Sequence, residues 1–178
     1  MAATARALCG VIMISKKICM IGSFAVGKTS LVEQYVHSIF SDRYLSTVGV
    51  KISKKECRVG ERDLNLMLWD MEGKDEYNEI NASYLRGAMG FFLVADGTRK
   101  DTLNTALLIR LLALDVVGNV PHYLLLNKAD LLSEWQVTED DIAQLELQGL
   151  QVLKTSAKTG EGVEDAFIRL AEAMLQEN

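Results

Sequence analysis

The most constraining feature of this chain is the segment GSFAVGKT at residues 22–29. It fits the pattern G-x-x-x-x-G-K-[ST] and lies between two partly apolar runs. The run before it, Lys17–Ile21, predicts a short buried strand, and the run after it, Ser30–His37, predicts a helix. Backbone amides in a glycine turn, a lysine and a helix N-terminus together favour a bound anion. The segment therefore predicts a phosphate-binding loop, and its flanks argue against the alternative of a glycine turn with a chance lysine.

The overall composition limits the classes of protein that fit. A chain of 178 residues that is 49% hydrophobic is ample for one packed domain but leaves little room for a second. Its net charge of −5 argues against a nucleic-acid partner. Cys9, Cys19 and Cys57 are odd in number and scattered, which favours free thiols in a reducing compartment. We therefore expect a cytoplasmic protein, and no apolar run approaches the ~20 residues of a membrane span.

The first residues stand apart from the rest of the chain. Ala7–Ile14 is apolar and follows Arg6, as in a signal peptide, but it lacks a small-residue cleavage site. It leads directly into lysines and the strand that the phosphate loop requires. We interpret residues 1–15 as an N-terminal extension and residues 16–178 as one domain.

Strand-like runs alternate with helical patterns along the chain, which predicts an α/β fold: a six-stranded, mostly parallel sheet with helices on both faces. Residues 50–58 are expected at an edge of the sheet, because Lys51 and Lys55 would discourage further pairing. Gly60 then gives the turn of a hairpin, which makes this edge strand antiparallel to the next. The predicted strands are 17–21, 50–58, 64–69, 90–95, 122–126 and 151–154.

Several helices are predicted from apolar periodicity. A helix is expected to begin at Thr138, because Asp141 three residues later completes a capping-box pattern. Leu107–Val117 is almost wholly apolar, which predicts a helix well buried against the sheet. The clearest helix is the last, with apolar residues at Val163, Ala166, Phe167, Leu170 and Met174.

Ligands of parallel sheets bind beyond the carboxyl ends of the strands, so the loops there are the places to look for chemistry. After the third strand comes Asp70-Met-Glu-Gly73. An acid at this point can hold Mg²⁺, usually through water, and a glycine amide can sense a terminal phosphate. Thr29 offers a hydroxyl to the same ion. Alone, D-x-x-G is more often an ordinary turn, but its position favours the functional interpretation.

After the fifth strand comes Asn127-Lys128-Ala129-Asp130. A carboxylate there can accept two hydrogen bonds from guanine that adenine cannot supply. The Asn127 side chain can tie the loop and the base together, and the Lys128 stem can cover the ring. After the sixth strand, Ser156–Lys158 supplies the Ala157 amide, which could meet the guanine oxygen. The sequence therefore predicts a guanine-binding site at this edge of the sheet.

These segments together resemble the five guanine-nucleotide motifs of Ras-like small GTPases in order and spacing. The resemblance covers about residues 16 to 176 and implies the P-loop NTPase fold of a small G domain. It is strongest to the Rab branch, through residues 46–50, 68–70 and 84–90. The matching segments are Gly22–Thr29, Thr47, Asp70–Gly73, Asn127–Asp130 and Ser156–Lys158.

The resemblance implies a role for each matching position. Thr47 falls on the threonine that, with Thr29 and Asp70, holds Mg²⁺ and senses the third phosphate. Phe40 falls on the aromatic that packs edge-on to guanine, and Tyr44 on a tyrosine near the phosphates. A loop aromatic that only covers the core, and an ordinary exposed tyrosine, are the alternatives for these two. The implied nucleotide-binding set is Ser23, Phe24, Ala25, Val26, Gly27, Lys28, Thr29, Ser30, Phe40, Tyr44, Thr47, Gly73, Asn127, Lys128, Asp130, Ser156, Ala157 and Lys158.

Two positions depart from the family pattern. The family has a glutamine directly after D-x-x-G that orients the attacking water, whereas this chain has Lys74. An ammonium only donates hydrogen bonds, so Lys74 cannot position water in the family's way; a solvent-facing lysine is the alternative. Phe24 stands where near relatives often have a small residue, and its ring would crowd the space beside the terminal phosphate. Both departures predict slow hydrolysis.

The expected function is therefore a GTPase switch that binds GTP or GDP with Mg²⁺. In this interpretation catalysis is mainly electrostatic and rests on Lys28, Thr47, Gly73 and the altered position Lys74. A constitutively GTP-loaded scaffold is the first alternative. A small phosphotransferase is the second, but no arginine-rich lid is visible in the sequence.

Effectors, exchange factors and GTPase-activating proteins are expected to bind the segments around 40–50 and 70–83, together with apolar side chains that we expect to be exposed, such as Val48, Trp69 and Tyr77. The sequence ends without a prenylation cysteine or polybasic tail, so membrane contact is expected only through a partner or a missing tail.

Overall fold

A computed structural model of the chain describes residues 13–43, 46–73 and 81–176. Six strands form one sheet in the order β2-β3-β1-β4-β5-β6. Only β2 runs antiparallel to its neighbour, and the other four pairings are parallel. The strands are β1 (Ile14–Ile21), β2 (Val50–Val59), β3 (Arg62–Met71), β4 (Gly90–Asp96), β5 (His122–Asn127) and β6 (Val152–Lys154).

Helices cover both faces of the sheet. They are α1 (Lys28–His37), α2 (Ala82–Leu85), α3 (Lys100–Val117), α4 (Glu139–Leu147) and α5 (Val163–Gln176), with a 3-10 segment at Ala129–Glu134. Buried residues of α1 and α5 form one apolar cluster with one face of the sheet, and those of α2, α3 and α4 form a second cluster with the other. The predicted α/β architecture, with one antiparallel edge strand, is confirmed.

The hydrophobic pattern fixes which face of β3 is buried. Leu64, Leu66 and Leu68 alternate along the strand and are fully buried, as the shared face predicts. Gly60 and Glu61 form the turn between β2 and β3, so that Val59 pairs with Arg62. The other face of β3 is mostly half-buried, and most of the edge strand β2 is exposed or half-buried.

Five strands extend beyond their predicted bounds, and the longest extensions are in β1 and β3. β1 begins at Ile14 rather than at Lys17, because Ile14 already pairs with Leu64 of β3. The polar residues of this first part hid the strand in the sequence, although Lys16 is buried and its Nζ donates to the carbonyl of Met174 at 3.1 Å. β3 likewise runs two residues further than predicted at each end.

The helix predictions are partly confirmed. α4 begins directly after Thr138, and the Thr138–Asp141 capping box is present in both directions. The helix predicted over Leu107–Val117 is present, but it begins at Lys100. The prediction that this segment is well buried is wrong, because the exposed fraction of Leu111 is 63%. Because α3 packs one face on the sheet, the leucines on its opposite face remain exposed.

Candidate functional site

The loops at the carboxyl ends of the parallel strands surround a cavity of about 610 Å³. A cavity of this size suits a nucleotide-sized ligand. Of the residues predicted from the sequence, those that line it are Phe24, Ala25, Gly27, Lys28, Thr29, Ser30, Phe40, Thr47, Gly73, Asn127, Lys128, Asp130, Ala157 and Lys158.

Four other predicted residues lie behind the wall of this cavity. Ser23, Val26, Asp70 and Ser156 are buried and are not among its lining residues. Side chains buried in this way support the loops, so Ser23 and Val26 can reach a ligand only through their backbones. Tyr44 and Lys74 lie outside the described residues, and their predicted roles stay predictions.

The phosphate loop is a tight turn held by its own lysine. Lys28 Nζ donates to the carbonyls of Gly22 at 3.0 Å and Ser23 at 2.7 Å. Gly27 precedes α1 with a φ of 99°, Ala25 has a φ of 59° and Gly22 has a φ of 152°, so three residues of the loop have positive φ. The turn ends at the N-terminus of α1, where unpaired amides and the helix dipole favour an anion. This geometry suits phosphate binding.

A cluster of oxygen atoms lies beside the loop. Thr29 Oγ1 is 2.7 Å from Thr47 Oγ1, and it donates to Asp70 Oδ2 at 2.6 Å. Thr47 Oγ1 is 3.2 Å from the same carboxylate oxygen. The other oxygen, Asp70 Oδ1, is buried and has no hydrogen-bond partner among the described residues. Hydroxyl and carboxylate oxygens are ligands that Mg²⁺ prefers, so the donor set fits this ion.

The electrostatics of Asp70 agree with a cation at this position. Burial raises the pKa of the Asp70 carboxyl, although the hydrogen bond from Thr29 and the charge of Lys28 oppose the shift. A buried carboxylate that keeps one oxygen without a donor is costly. A divalent cation would remove that cost by supplying the missing charge.

Asn127 connects the phosphate loop with the two loops on the base side. Its Nδ2 donates to the Val26 carbonyl at 3.0 Å, and its Oδ1 accepts from the Ala157 amide at 3.1 Å. The residue is buried, so both hydrogen bonds are shielded from water. On the same side, Ser156 Oγ donates to Asp130 Oδ1 at 2.6 Å, which fixes the orientation of that carboxylate.

Lys128 is held from two directions. Its Nζ lies 2.6 Å from Asp96 Oδ2, and its carbonyl accepts from Trp135 Nε1 at 3.0 Å. Its backbone is left-handed, with a φ of 70°. The indole of Trp135 also occupies the space where a Cβ on Gly97 would stand. Packing and hydrogen bonds thus fix the loop that carries Lys128.

Sequence reasoning missed Asp96 and Arg99. Asp96 is the last residue of β4 and is fully buried, so the rule that chemistry follows strand ends could have found it. The predicted strand stopped one residue too early, at Ala95. Arg99 Nη2 donates to the Phe24 carbonyl at 3.0 Å, and no motif signalled this contact.

The surface predicted to face partners is only partly exposed. Val48 has an exposed fraction of 85%. Trp69, which was expected to be exposed, is half-buried: Lys17 Nζ lies 3.6 Å from its ring centroid, and Tyr84 packs beside it. Tyr77 lies outside the described residues. Within the described ranges, no helix has the length and apolar character needed to cross a membrane.

Comparison with known proteins identifies the family of this chain. The family model described as the Ras family matches residues 17–176. Ras-related protein Rab-8B from Homo sapiens is 31% identical over 161 residues, which cover 89% of this chain and 78% of the relative. Ras-related protein Rab-4B from Homo sapiens is 34% identical, with 89% and 76% covered. Ras-related protein Rab-4A from Bos taurus is also 34% identical, with 89% and 74% covered. The chain therefore belongs to the Ras family of small GTPases and is most similar to its Rab members.

Proposed function

We propose that this protein is a guanine-nucleotide switch that binds GTP and GDP with Mg²⁺ and hydrolyses GTP slowly. The observation that carries the proposal is the convergence of three groups on one cavity: the phosphate loop, the cluster of Thr29 and Thr47, and the base-side loop with Asp130. A glycine turn, a pair of hydroxyls or a carboxylate in a loop is common in proteins of many functions. Their arrangement around one nucleotide-sized space is what a GTPase requires.

Base selection is assigned to Asp130. Its carboxylate accepts a hydrogen bond from Ser156 on Oδ1, which leaves acceptor capacity for the paired N–H groups of guanine. A wrong base would leave a polar group of the site without a partner, and this cost provides discrimination. The buried hydrogen bonds of Asn127 to Val26 and Ala157 fix the position of the base-binding loops relative to the phosphate loop.

Metal binding is assigned to Thr29, Thr47 and Asp70. Asp70 would act from behind the two threonines, since its side chain is buried and Oδ2 is already within hydrogen-bond distance of both hydroxyls. When bound, Mg²⁺ neutralises charge on the phosphates. The chain's own contribution is to hold Lys28 and the loop amides where charge develops on the transferring phosphoryl group.

Slow hydrolysis is proposed from two residues. Lys74 occupies the position after Gly73 where the family uses glutamine to orient water, and an ammonium has no acceptor for that task. Phe24 is exposed, with 43% of its surface accessible, and lines the cavity, so its ring occupies space beside the phosphate loop. Together these features support a long-lived GTP state.

The test is single-turnover hydrolysis of bound GTP with Mg²⁺. Wild type is compared with Lys74→Gln and with Phe24→Ala, and Lys54→Gln on the exposed edge of β2 serves as the matched control. Slow wild-type turnover that Lys74→Gln accelerates, with Lys54→Gln unchanged, supports the proposal. Wild-type hydrolysis at an ordinary small-GTPase rate, unchanged by either substitution, contradicts the assignment of both residues.

A constitutively GTP-loaded binding module is the second candidate, and Lys74 with Phe24 also favours it. The single-turnover experiment also distinguishes the slow switch from the constitutively loaded module. Turnover that stays undetectable in Lys74→Gln and Phe24→Ala, with tight GTP binding intact, would favour the module.

Partners are proposed to bind the segments around 40–50 and 70–83, where Val48 offers an exposed apolar side chain. Val48→Asp should therefore weaken capture of a nucleotide-dependent partner without changing nucleotide affinity.

A further inference from the structure

The loop after β4 brings a guanidinium against the phosphate loop. Arg99 Nη2 donates to the Phe24 carbonyl at 3.0 Å, and Nε donates to Asp96 Oδ2 at 3.2 Å. Arg99 is not among the residues that line the cavity. Its influence on a ligand must therefore pass through the loop that it holds.

Asp96, the carboxylate that accepts from Arg99, is ionised and held in place by further hydrogen bonds. Asp96 is buried, and its Oδ1 accepts from both the amide and the hydroxyl of Thr98 at 3.0 and 2.7 Å. Burial alone would raise the pKa of Asp96, but the hydrogen bonds from Lys128 and Thr98 outweigh it and hold the pKa below its ordinary value. In the pair with Arg99, the carboxylate is 1% exposed and the guanidinium 40%, so one partner is shielded from water, unlike in a fully exposed surface ion pair.

The peptide that Arg99 holds is a strained one. In a trans peptide the C=O and the following N–H point in opposite directions, so fixing the Phe24 carbonyl also fixes the Ala25 amide. Ala25 has a φ of 59°, which is unfavourable for a residue with a Cβ. If this peptide rotated, the carbonyl would turn toward the anion and the amide away from it. Arg99 opposes that rotation.

The held peptide lies beside Gly73. A Cβ built on Gly73 would stand 2.7 Å from the Phe24 Cα, so Gly73 touches the loop at the same residue whose carbonyl Arg99 binds. The Gly73 amide is the group expected to sense the terminal phosphate. The peptide held by Arg99 is therefore next to the residue expected to sense the terminal phosphate.

We propose that Arg99 is a positioning residue that holds the peptide between Phe24 and Ala25 with its amide toward the bound phosphates, using Asp96 as its anchor. The inference rests on the proposed nucleotide-binding function. Its consequence is that the contribution of Arg99 grows with the number of phosphates on the nucleotide. A residue with a purely structural role would weaken all nucleotides alike.

The experiment measures the affinity of the full chain for GMP, GDP and a non-hydrolysable GTP analogue, with Mg²⁺, by displacement of a fluorescent guanine nucleotide. Arg99→Gln should weaken GDP and the GTP analogue by about tenfold, the usual effect of losing a charged hydrogen bond, while GMP stays close to wild type. Arg169→Gln is the matched control, because Arg169 pairs with Asp165 on α5 at 2.7 Å. It should change none of the affinities.

Two further variants make the result decisive. Asp96→Asn should weaken all three nucleotides, because Asp96 also holds Lys128. Arg99→Lys keeps a charge near Asp96 but has one nitrogen in place of the guanidinium fork, so it should show the same phosphate-dependent loss as Arg99→Gln. It also covers the case in which Arg99→Gln does not fold.

Three outcomes would overturn the inference: equal weakening of GMP and GDP in Arg99→Gln, no weakening at all, or wild-type affinities in Arg99→Lys. A wild-type chain that binds no guanine nucleotide would instead refute the proposed function itself, so the two failures are distinguishable.

Discussion

Asn127 Nδ2 donates to the carbonyl of Val26 at 3.0 Å, and this hydrogen bond joins the base side of the site to the phosphate loop. The two residues are far apart in the sequence: Val26 lies in the loop before α1, and Asn127 is the last residue of β5. Both are buried, so the bond is shielded from competing water. The loops therefore form one connected unit.

Close packing around Asn127 gives the first prediction. A Cβ on Gly27 would overlap Nδ2 of Asn127, and Gly27 also has a φ of 99°. Gly27→Ala should therefore displace Asn127, lower the free energy of unfolding and abolish tight nucleotide binding. Urea unfolding and nucleotide titration measure the two effects.

Gly60→Ala is the control for backbone strain alone. Gly60 has a φ of 59°, but nothing lies within 4 Å of the Cβ position. It should lose about 1–2 kcal/mol of stability, the usual cost of a left-handed residue, and keep nucleotide affinity. Equal nucleotide affinities in the two variants would contradict the role of the Asn127 contact.

The second prediction concerns base selection. Asp130→Asn should weaken GTP and leave the weaker binding of ATP nearly unchanged, because only guanine offers paired donors to the carboxylate. Ser156→Ala should reduce GTP affinity by a smaller factor, about fivefold, since it removes the hydrogen bond that orients Asp130. Competition between GTP and ATP measures both, and equal losses for the two nucleotides in Asp130→Asn would refute base reading by this residue.

The third prediction concerns the metal. Removal of Mg²⁺ with EDTA should speed GDP release from the wild type by at least about tenfold, because the cation neutralises phosphate charge. Asp70→Asn should release GDP faster already with Mg²⁺ and respond less to EDTA. Asp63→Asn, on the same strand but paired with Arg58, is the control and should respond like the wild type. An EDTA response in Asp70→Asn equal to that of the wild type would contradict the metal assignment.

The fourth prediction concerns pH. Hydrogen bonds from Lys100 and Thr138 lower the pKa of Asp141 from 3.8 to about 2. A lowered folded-state pKa contributes stability that is present above the unfolded value and is lost as pH falls from 3.8 toward 2. Asp141→Asn should therefore have a lower urea midpoint than the wild type at pH 7, and the difference should narrow below pH 3.8.

Asp140→Asn is the matched control for this pH effect. It removes the same charge from the same helical turn but keeps the bonds of Asp141 to Thr138 and Lys100. A difference between the wild type and Asp141→Asn that stays constant from pH 7 to pH 3 would contradict the prediction.

Local sequence signals predicted most of the fold. Alternating apolar residues in β3 and the Thr138–Asp141 pattern each depend on neighbours along the chain, and both predictions agree with the structure. The start of β1 was missed because Lys16 is buried through a contact with Met174, which is distant in the sequence. The exposure of Leu111 was missed because a run that is almost wholly apolar does not show which face of the helix packs on the sheet.

The residues of the site likewise fall into those that a local motif indicates and those that depend on contacts distant in the sequence. Residues with a motif, such as Lys28 and Asn127, were found because their spacing encodes the loop. Arg99 was not found, because its contact with Phe24 depends on how two loops meet in space. Asp96 lies between these cases, since its place at a strand end was a usable signal.

The left-handed backbones of Ala25 and Lys128 have a consequence for engineering. Apart from Ser38 at the end of α1, they are the non-glycine residues with positive φ in the described part of the chain, and both line the cavity. Glycine at Ala25 would relieve about 1–2 kcal/mol of strain. That substitution would raise the thermal stability of the protein without ligand while loosening the phosphate loop. Glycine at Lys128 would relieve similar strain but would also leave buried Asp96 without its lysine partner, so only Ala25→Gly would emerge from a search for stabilising mutations, and that position should be excluded if an active protein is wanted.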